Sequence, residues 1–428
     1  MIRKQNPNQN QIPDRNQRSR HRRVIRLAVV SATGVAALAS ALAAPASADG
    51  TTTADVTWTV ANSTATGDQD NAEVSATRNG YTAVVWEDDR DSTAPENTVH
   101  TEVFLRLYRD GTSLFEKKLS AGGSGNWRHV QPDVALREDG TAVVIWAEDP
   151  DGNGYYNIAV RAVNTAGTVT GSAQANANAD GQQLNAHVAA DPDGPGFAVA
   201  FEDVQGTAAP TVRVAGFASV TSRTYEAQVH TTGGTHRRPD VAVDGAGNAV
   251  VVWDEDGDAN GSFNVGRKIL TPSGTVKVAQ GVANVATGGD QVHPAVSVNL
   301  NGDQVVAWET NQNGSAQVGA RSFSAANAAG PEVILPGTDP QTGIDDQRGA
   351  VVTWAQDTDV HAQGLNPDGT TTGRLPRLRV HTTVTGRQDE PALGVNPWGQ
   401  LVIAYTDDND GNLFDQVYLG TGLVNSTW

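Results

Sequence analysis

The sequence predicts an all-β chain: a seven-bladed β-propeller of four-stranded antiparallel blades, closed by its own N-terminal strand. Three observations predict it. An apolar run ends in an aromatic residue seven times, at Trp86, Trp146, Phe201, Trp253, Trp308, Trp354 and Tyr405, with gaps of 60, 55, 52, 55, 46 and 51 residues. A period of about 50 residues that holds several short strands is the pattern of a propeller blade. The last repeat stops after its third strand, and an unclaimed strand, Ala54 to Ala61, precedes the first repeat. That strand supplies the missing fourth strand, which removes an exposed sheet edge.

Each repeat parses into strands A to D. Strand A is of the Pro-x-Val-x-Val type, as at 132–136 and 239–243. A tight turn follows, such as Asn79-Gly80, Asp139-Gly140, Gly247-Asn248, Asn301-Gly302 or Trp398-Gly399. Glycine supplies the positive φ that short hairpins need. Strand B is the apolar run that ends in the aromatic. It lies mid-blade between two neighbours, so the aromatics are read as core. Strand C is 103–108, 158–163, 265–270 or 318–323, and a second glycine turn leads to strand D.

The first 48 residues read as a secretory signal peptide, with the propeller domain at 49–428. Residues 1–26 hold eight basic residues against one acid, Asp14. Residues 27–42 are uncharged and Ala-rich, and Ala46-Ser47-Ala48 is a small-x-small cleavage site. The apolar run is too short for a membrane span, which needs roughly 20 apolar residues. Arg22-Arg23-Val24-Ile25 resembles a twin-arginine signal, although Arg26 departs from it; the export route is open between that and the general one.

Residues 49–428 retain 22 basic and 47 acidic residues, a net charge of −25. A field of that sign disfavours nucleic acid and anionic membranes as partners. The chain has no cysteine. That excludes cysteine nucleophiles, zinc–thiolate sites and iron–sulfur clusters, and leaves stability to one large core.

Two polar constellations fall on the face shared by the D–A and B–C connections. Three residues before the Pro position of strand A stand Gln69, His129, Gln183, His236, Gln291, Asp339 and Gln388, a recurrence that suits a stitch between blades. Blades 2 and 4 break the pattern with Trp127, Arg128 and His129, and with His236 and Arg237. An aromatic beside Arg and His suits a sugar ring and a carboxylate. These five are the candidate ligand residues. His129 and His236 are the only candidates for a catalytic base, by position alone.

The second constellation follows strand B. It reads Asp149, Asp151, Asn153 in blade 2, Asp256, Asp258, Asn260 in blade 4 and Asp408, Asp410, Asn412 in blade 7. Alternate oxygens in a Gly-containing loop suit calcium, though Val160 and Arg267 stand where a closing bidentate Glu would be. The same residues are ordinary in hairpin turns.

The repeat resembles those of secreted bacterial seven-bladed propellers with a Val-Val-x-Trp strand, over residues 54–420. The sialidase, WD40 and kelch signatures are absent. So are Gly-x-Ser-x-Gly, His-Glu-x-x-His and phosphate-loop motifs. The reading is a secreted, monomeric, noncatalytic binding propeller for an extracellular glycan or protein. The alternatives are a carbohydrate-active enzyme, lyase or hydrolase, working at the channel face, and a structural cell-envelope protein.

Overall fold

The structure is a computed structural model that describes residues 50–51, 56–90, 101–120, 128–149, 153–382, 386–408 and 415–425. Residues 1–48, read above as a signal peptide, and Trp127, Asp151, Asp410 and Asn412 lie outside the described residues.

Seven sheets follow one another along the chain, each meandering from an inner strand A to an outer strand D. In blade 1 these are Gln69–Ala76, Tyr81–Asp88, Glu102–Arg109 and Thr112–Lys118. The other inner strands are His129–Leu136, Gln182–Ala190, Thr235–Val243, Gln291–Val298, Thr338–Ile344 and Gln388–Val395. Each packs against the inner strand of the next blade, and that of blade 7 returns to that of blade 1. The chain is a closed seven-bladed β-propeller.

Closure follows the sequence expectation. Thr57–Val60 pairs antiparallel with the last strand, Gln416–Val424, in the blade of Tyr405. Trp58 meets Tyr405 edge-on at 5.0 Å. The seventh blade is thus built from both ends of the propeller, so unfolding either end exposes the same core. Blade 6 is the irregular one: its outer strand shrinks to Leu378–Arg379, against which Gly50–Thr51 lies parallel.

The core fills the gaps between blades. Six landmark aromatics have no exposed surface and Tyr405 has 2%. The five tryptophans and Tyr405 each join a cluster of aliphatic residues from two adjacent blades, as Trp253 does with Val212, Val214 and Val241. Burying one such aromatic is worth about 1.5–3 kcal/mol. Their indole N–H groups need acceptors. Trp86 Nε1 donates to Asp88 at 2.8 Å, Trp146 to Glu148 at 2.7 Å, and Trp253 to Glu255. Thr310 and Gln356 stand where these carboxylates would be in blades 5 and 6, and there Trp308 and Trp354 Nε1 have no acceptor.

Candidate functional site

Every inner strand carries a bulge at the same place. The register with strand B shifts there in all seven blades, between Asp70 and Glu73, Val130 and Asp133, Leu184 and His187, Arg237 and Asp240, Val292 and Ala295, Thr338 and Gln341, and Asp389 and Ala392. Within each shift sits one non-glycine residue in the left-handed region: Asn71, Gln131, Asn185, Arg238, His293, Asp339 and Glu390, with φ between 48° and 57°. A bulge re-aims the side chains around it. The strained backbone costs of order 1 kcal/mol and must be held by its surroundings.

In six of the seven blades what holds it is an acceptor from the preceding blade. The N–H of Gln131 donates to Glu87 at 2.7 Å, that of Arg238 to Glu202 at 3.2 Å, that of His293 to Asp254 at 2.8 Å, and that of Asp339 to Glu309 at 3.0 Å. Those carboxylates each follow the landmark aromatic by one residue. Blades 2, 6 and 7 have Ala147, Ala355 and Thr406 there. In blades 2 and 7 the bulge residue itself accepts: Gln131 from Asn185 at 2.9 Å and Glu390 from Asn71 at 3.2 Å.

The bulge residues form a ring at the end of the channel that the D–A and B–C connections share, and the ring is uneven in charge. Blades 4 and 5 supply Arg237, Arg238 and His293. Arg238 pairs with the buried Asp254, and its Nη1 meets His293 Nε2 at 2.6 Å. A guanidinium only donates, so that nitrogen accepts and the ring proton sits on Nδ1, 3.4 Å from Glu309. Burial lowers the pKa of His293 and raises that of Asp254 against the pull of Arg238.

The seam of blades 7 and 1, opposite blade 4 in the ring order, is acidic. Burial, with repulsion from Asp68, Glu87, Glu390 and Asp415, holds Asp70 well above the usual carboxylate range. Burial and the charges of Asp389 and Asp415 do the same to Glu390. Burial pushes Asp389 to about 6 despite Arg387 at 2.7 Å.

Beyond the bulges the channel holds a cavity of about 250 Å³ that reaches the A–B turns at Pro192, Leu300 and Pro397. His187 Nδ1 lies there 3.3 Å from Asp133 and 3.6 Å from Asp240. Both aspartates stitch blades: Asp133 accepts from Val188 N–H at 2.8 Å and Asp240 from Val296 N–H at 2.7 Å. Burial pushes Asp240 to about 6, against the opposing charge of His187.

The sequence-derived ligand residues divide. His129 and His236 are buried, at 3% and 0% exposure, and a soluble ligand cannot reach them there. In blades 2 and 4 the residue two before the bulge is buried, His129 against strand C of blade 1 and His236 against strand B of its own blade. His129 Nδ1 lies 3.1 Å from Thr101 O and 3.3 Å from Glu102; His236 Nε2 lies 3.3 Å from Glu255. Gln69, Gln183, Gln291 and Gln388 are buried at the same place, as expected of a stitch. Asp339 does not belong with them. It is the bulge residue, and Gly337 holds the stitch position, where a Cβ would meet Trp354 at 2.4 Å. Arg128 is half-buried and bridges to Thr101. Arg237 has 36% of its side chain exposed and its guanidinium 4.1 Å above Phe263. Tyr155, exposed on the B–C loop of blade 2, was not singled out from sequence.

The Asp-x-Asp-x-Asn loop of blade 4 closes as a turn. Asp256 accepts from Asn260 N–H at 2.9 Å and Gly261 N–H at 3.2 Å, and Asn260 Nδ2 donates to Asp258 at 2.9 Å. In blade 2, Asp149 accepts from Asn153 N–H at 3.1 Å and Gly154 N–H at 2.8 Å. Among the described residues, no group of three or more His, Asp or Glu is arranged to hold a metal ion. Nor is any helix among them long and apolar enough to cross a membrane.

No protein-family model and no curated protein matches the chain. Solved structures match its fold. One, a protein of unknown function from Dyadobacter fermentans, has a TM-score of 0.52 and 12% identity over 87% of this chain and 100% of its own. Another, the polysaccharide lyase Uly1, has a TM-score of 0.52 and 12% identity over 84% of this chain and 90% of its own. The likeness is one of fold. At that identity it assigns no activity, since one propeller scaffold carries many functions.

Proposed function

We propose that the chain is a secreted, noncatalytic binding propeller whose ligand is an extracellular glycan, held on the face of the D–A and B–C connections. One observation carries the reading. Both histidines in reach of base chemistry by position are buried in the scaffold, while that face exposes Tyr155 and the Arg237–Phe263 stack. Flat aromatic surface beside a cation and ring amides is what sugar recognition uses. The acidity of the chain disfavours polyanions, so the glycan is neutral or carries few carboxylates. A glycan array probed with the labelled protein tests this. Binding that Arg237→Ala and Tyr155→Ala both weaken supports it. Binding indifferent to both places the ligand elsewhere.

A second reading, a glycan-cleaving enzyme, is favoured by the 7–1 seam. A carboxyl whose pKa is held well above the usual carboxylate range, as burial holds those of Asp70 and Glu390, suits a general acid. A polysaccharide lyase among the structures of like fold points the same way. Reducing-end and unsaturated-product assays on array hits separate the two readings.

A further inference from the structure

At three crossings from one blade to the next a pair of side chains meets. Two of these pairs are neutral amides. Asn62 Nδ2 donates to Gln69 Oε1 at 3.0 Å, and Asn176 Nδ2 donates to Gln183 Oε1 at 3.0 Å. The crossing from blade 3 to blade 4 has two histidines instead, His230 and His236, six residues apart rather than seven. Their rings stack face to face, with centroids 3.5 Å apart and planes 10° from parallel. Exposure is 5% and 0%.

The protons of this pair can be placed. His230 Nδ1 lies 3.1 Å from the Thr232 carbonyl, which only accepts, so Nδ1 carries the hydrogen. His236 Nε2 faces Glu255 at 3.3 Å and Thr232 Oγ1 at 3.1 Å, so its hydrogen sits there. His230 Nε2 and His236 Nδ1 are buried and have no hydrogen-bond partner. Any further proton must go to one of these two nitrogens, where the new N–H finds no acceptor. Two facing groups are charged. Glu255, on strand B of blade 4, favours one imidazolium. Lys268, on strand C, donates to Val229 O at 2.7 Å and opposes it. The other contacts, Gln228, Thr232 and Pro210, are uncharged.

We propose that the stacked His230–His236 pair is an acid-sensitive latch: protonation of both rings parts the stack and frees the blade 3–4 crossing, together with Arg237 and Arg238 at the channel mouth. Stacked cations in a site with no acceptor repel, and a two-state contact of this kind opens rather than deforms. The sign follows from burial, which lowers the pKa of His230. The folded crossing then binds fewer protons than the unfolded one. Its stability is complete above the ordinary imidazole value of about 6.5 and is lost as pH falls below it. None of this depends on what the mouth binds.

The test is amide hydrogen exchange on the full chain at about pH 7.5 and about pH 5, read as protection factors so that intrinsic rates cancel. Protection of 229–238 is expected to fall at least about tenfold at the lower pH, while the 176–183 crossing keeps its protection. His236→Gln, the residue that stands here in blades 1, 3, 5 and 7, should abolish the fall. Equal protection at both pH values, or an equal fall in His236→Gln, overturns the latch. Should that variant fold poorly, imidazole NMR of the unmodified chain decides. Two well-separated titration steps support the latch; a single shared step near the ordinary imidazole value overturns it.

Discussion

Gln131 and Asn185 hold blades 2 and 3 together through two hydrogen bonds. Gln131 Oε1 accepts the Asn185 backbone N–H at 2.9 Å, and Gln131 Nε2 donates to Asn185 Oδ1 at 2.9 Å. Blades 1, 3, 4 and 5 use a carboxylate after the landmark aromatic for this purpose; blade 2 has Ala147 there. The ring contact has been kept, with the same bulge N–H as donor, while its acceptor moved from strand B to the bulge residue of the preceding blade.

Gln131→Asn tests that contact. Asparagine tolerates the left-handed backbone but is one methylene too short to reach Asn185. Leaving a part-buried N–H unpaired should cost about 1–3 kcal/mol, read as a lower denaturation midpoint at unchanged m-value. An unchanged midpoint would show that water replaces the contact without cost.

Stability should fall as pH rises. Asp240 and Asp389 have folded values of about 6 against about 3.9 unfolded, so the folded chain binds more protons between them. Their stabilising contribution is complete below about pH 4 and lost as pH rises through about 6, roughly 3 kcal/mol each. Glu390→Gln removes one seam charge and keeps an acceptor for Asn71. It should raise the melting temperature at about pH 8 and flatten the profile. Greater stability of the unmodified chain at pH 8 than at pH 5 contradicts this. The global trend runs opposite to the local opening expected at His230, so melting and hydrogen exchange must be read separately.

Calcium should have little effect on stability. The Asp256 carboxylate already accepts two backbone N–H groups, so its turn is complete without an ion. Melting in millimolar calcium and in EDTA should therefore coincide. A rise with calcium that Asp256→Asn and Asp258→Asn together remove would instead establish the loop as a calcium site.

The scaffold was legible in the sequence because it repeats. Trp86 through Tyr405 and the glycines six residues before five of them fix strand B and its turn, and the truncated last repeat predicts the strand now seen at Thr57–Val60. The bulge ring was not legible, because left-handed Asn, Gln, Arg, His, Asp and Glu carry no glycine to mark them. A signal did exist: the residue directly before Pro132, Pro239, Pro294, Pro340 and Pro391 is polar each time. The candidate ligand residues were half legible. Departure from the repeat picked out Arg237, which is accessible. It also picked out His129 and His236, whose side chains are buried at the blade crossings; sequence spacing alone does not give that direction. Blade 6 misled for a local reason, since Gly337 avoids Trp354 and shifts the polar residue to Asp339.

The central claim is that the channel-mouth face binds a glycan without cleaving it. The most direct measurement is calorimetric titration of an array-identified glycan, followed by product analysis of the same sample after prolonged incubation. Recovery of intact glycan, with affinity reduced about tenfold by Tyr155→Ala, is the predicted result. New reducing ends or unsaturated products, or affinity untouched by Tyr155→Ala and Arg237→Ala, would contradict it.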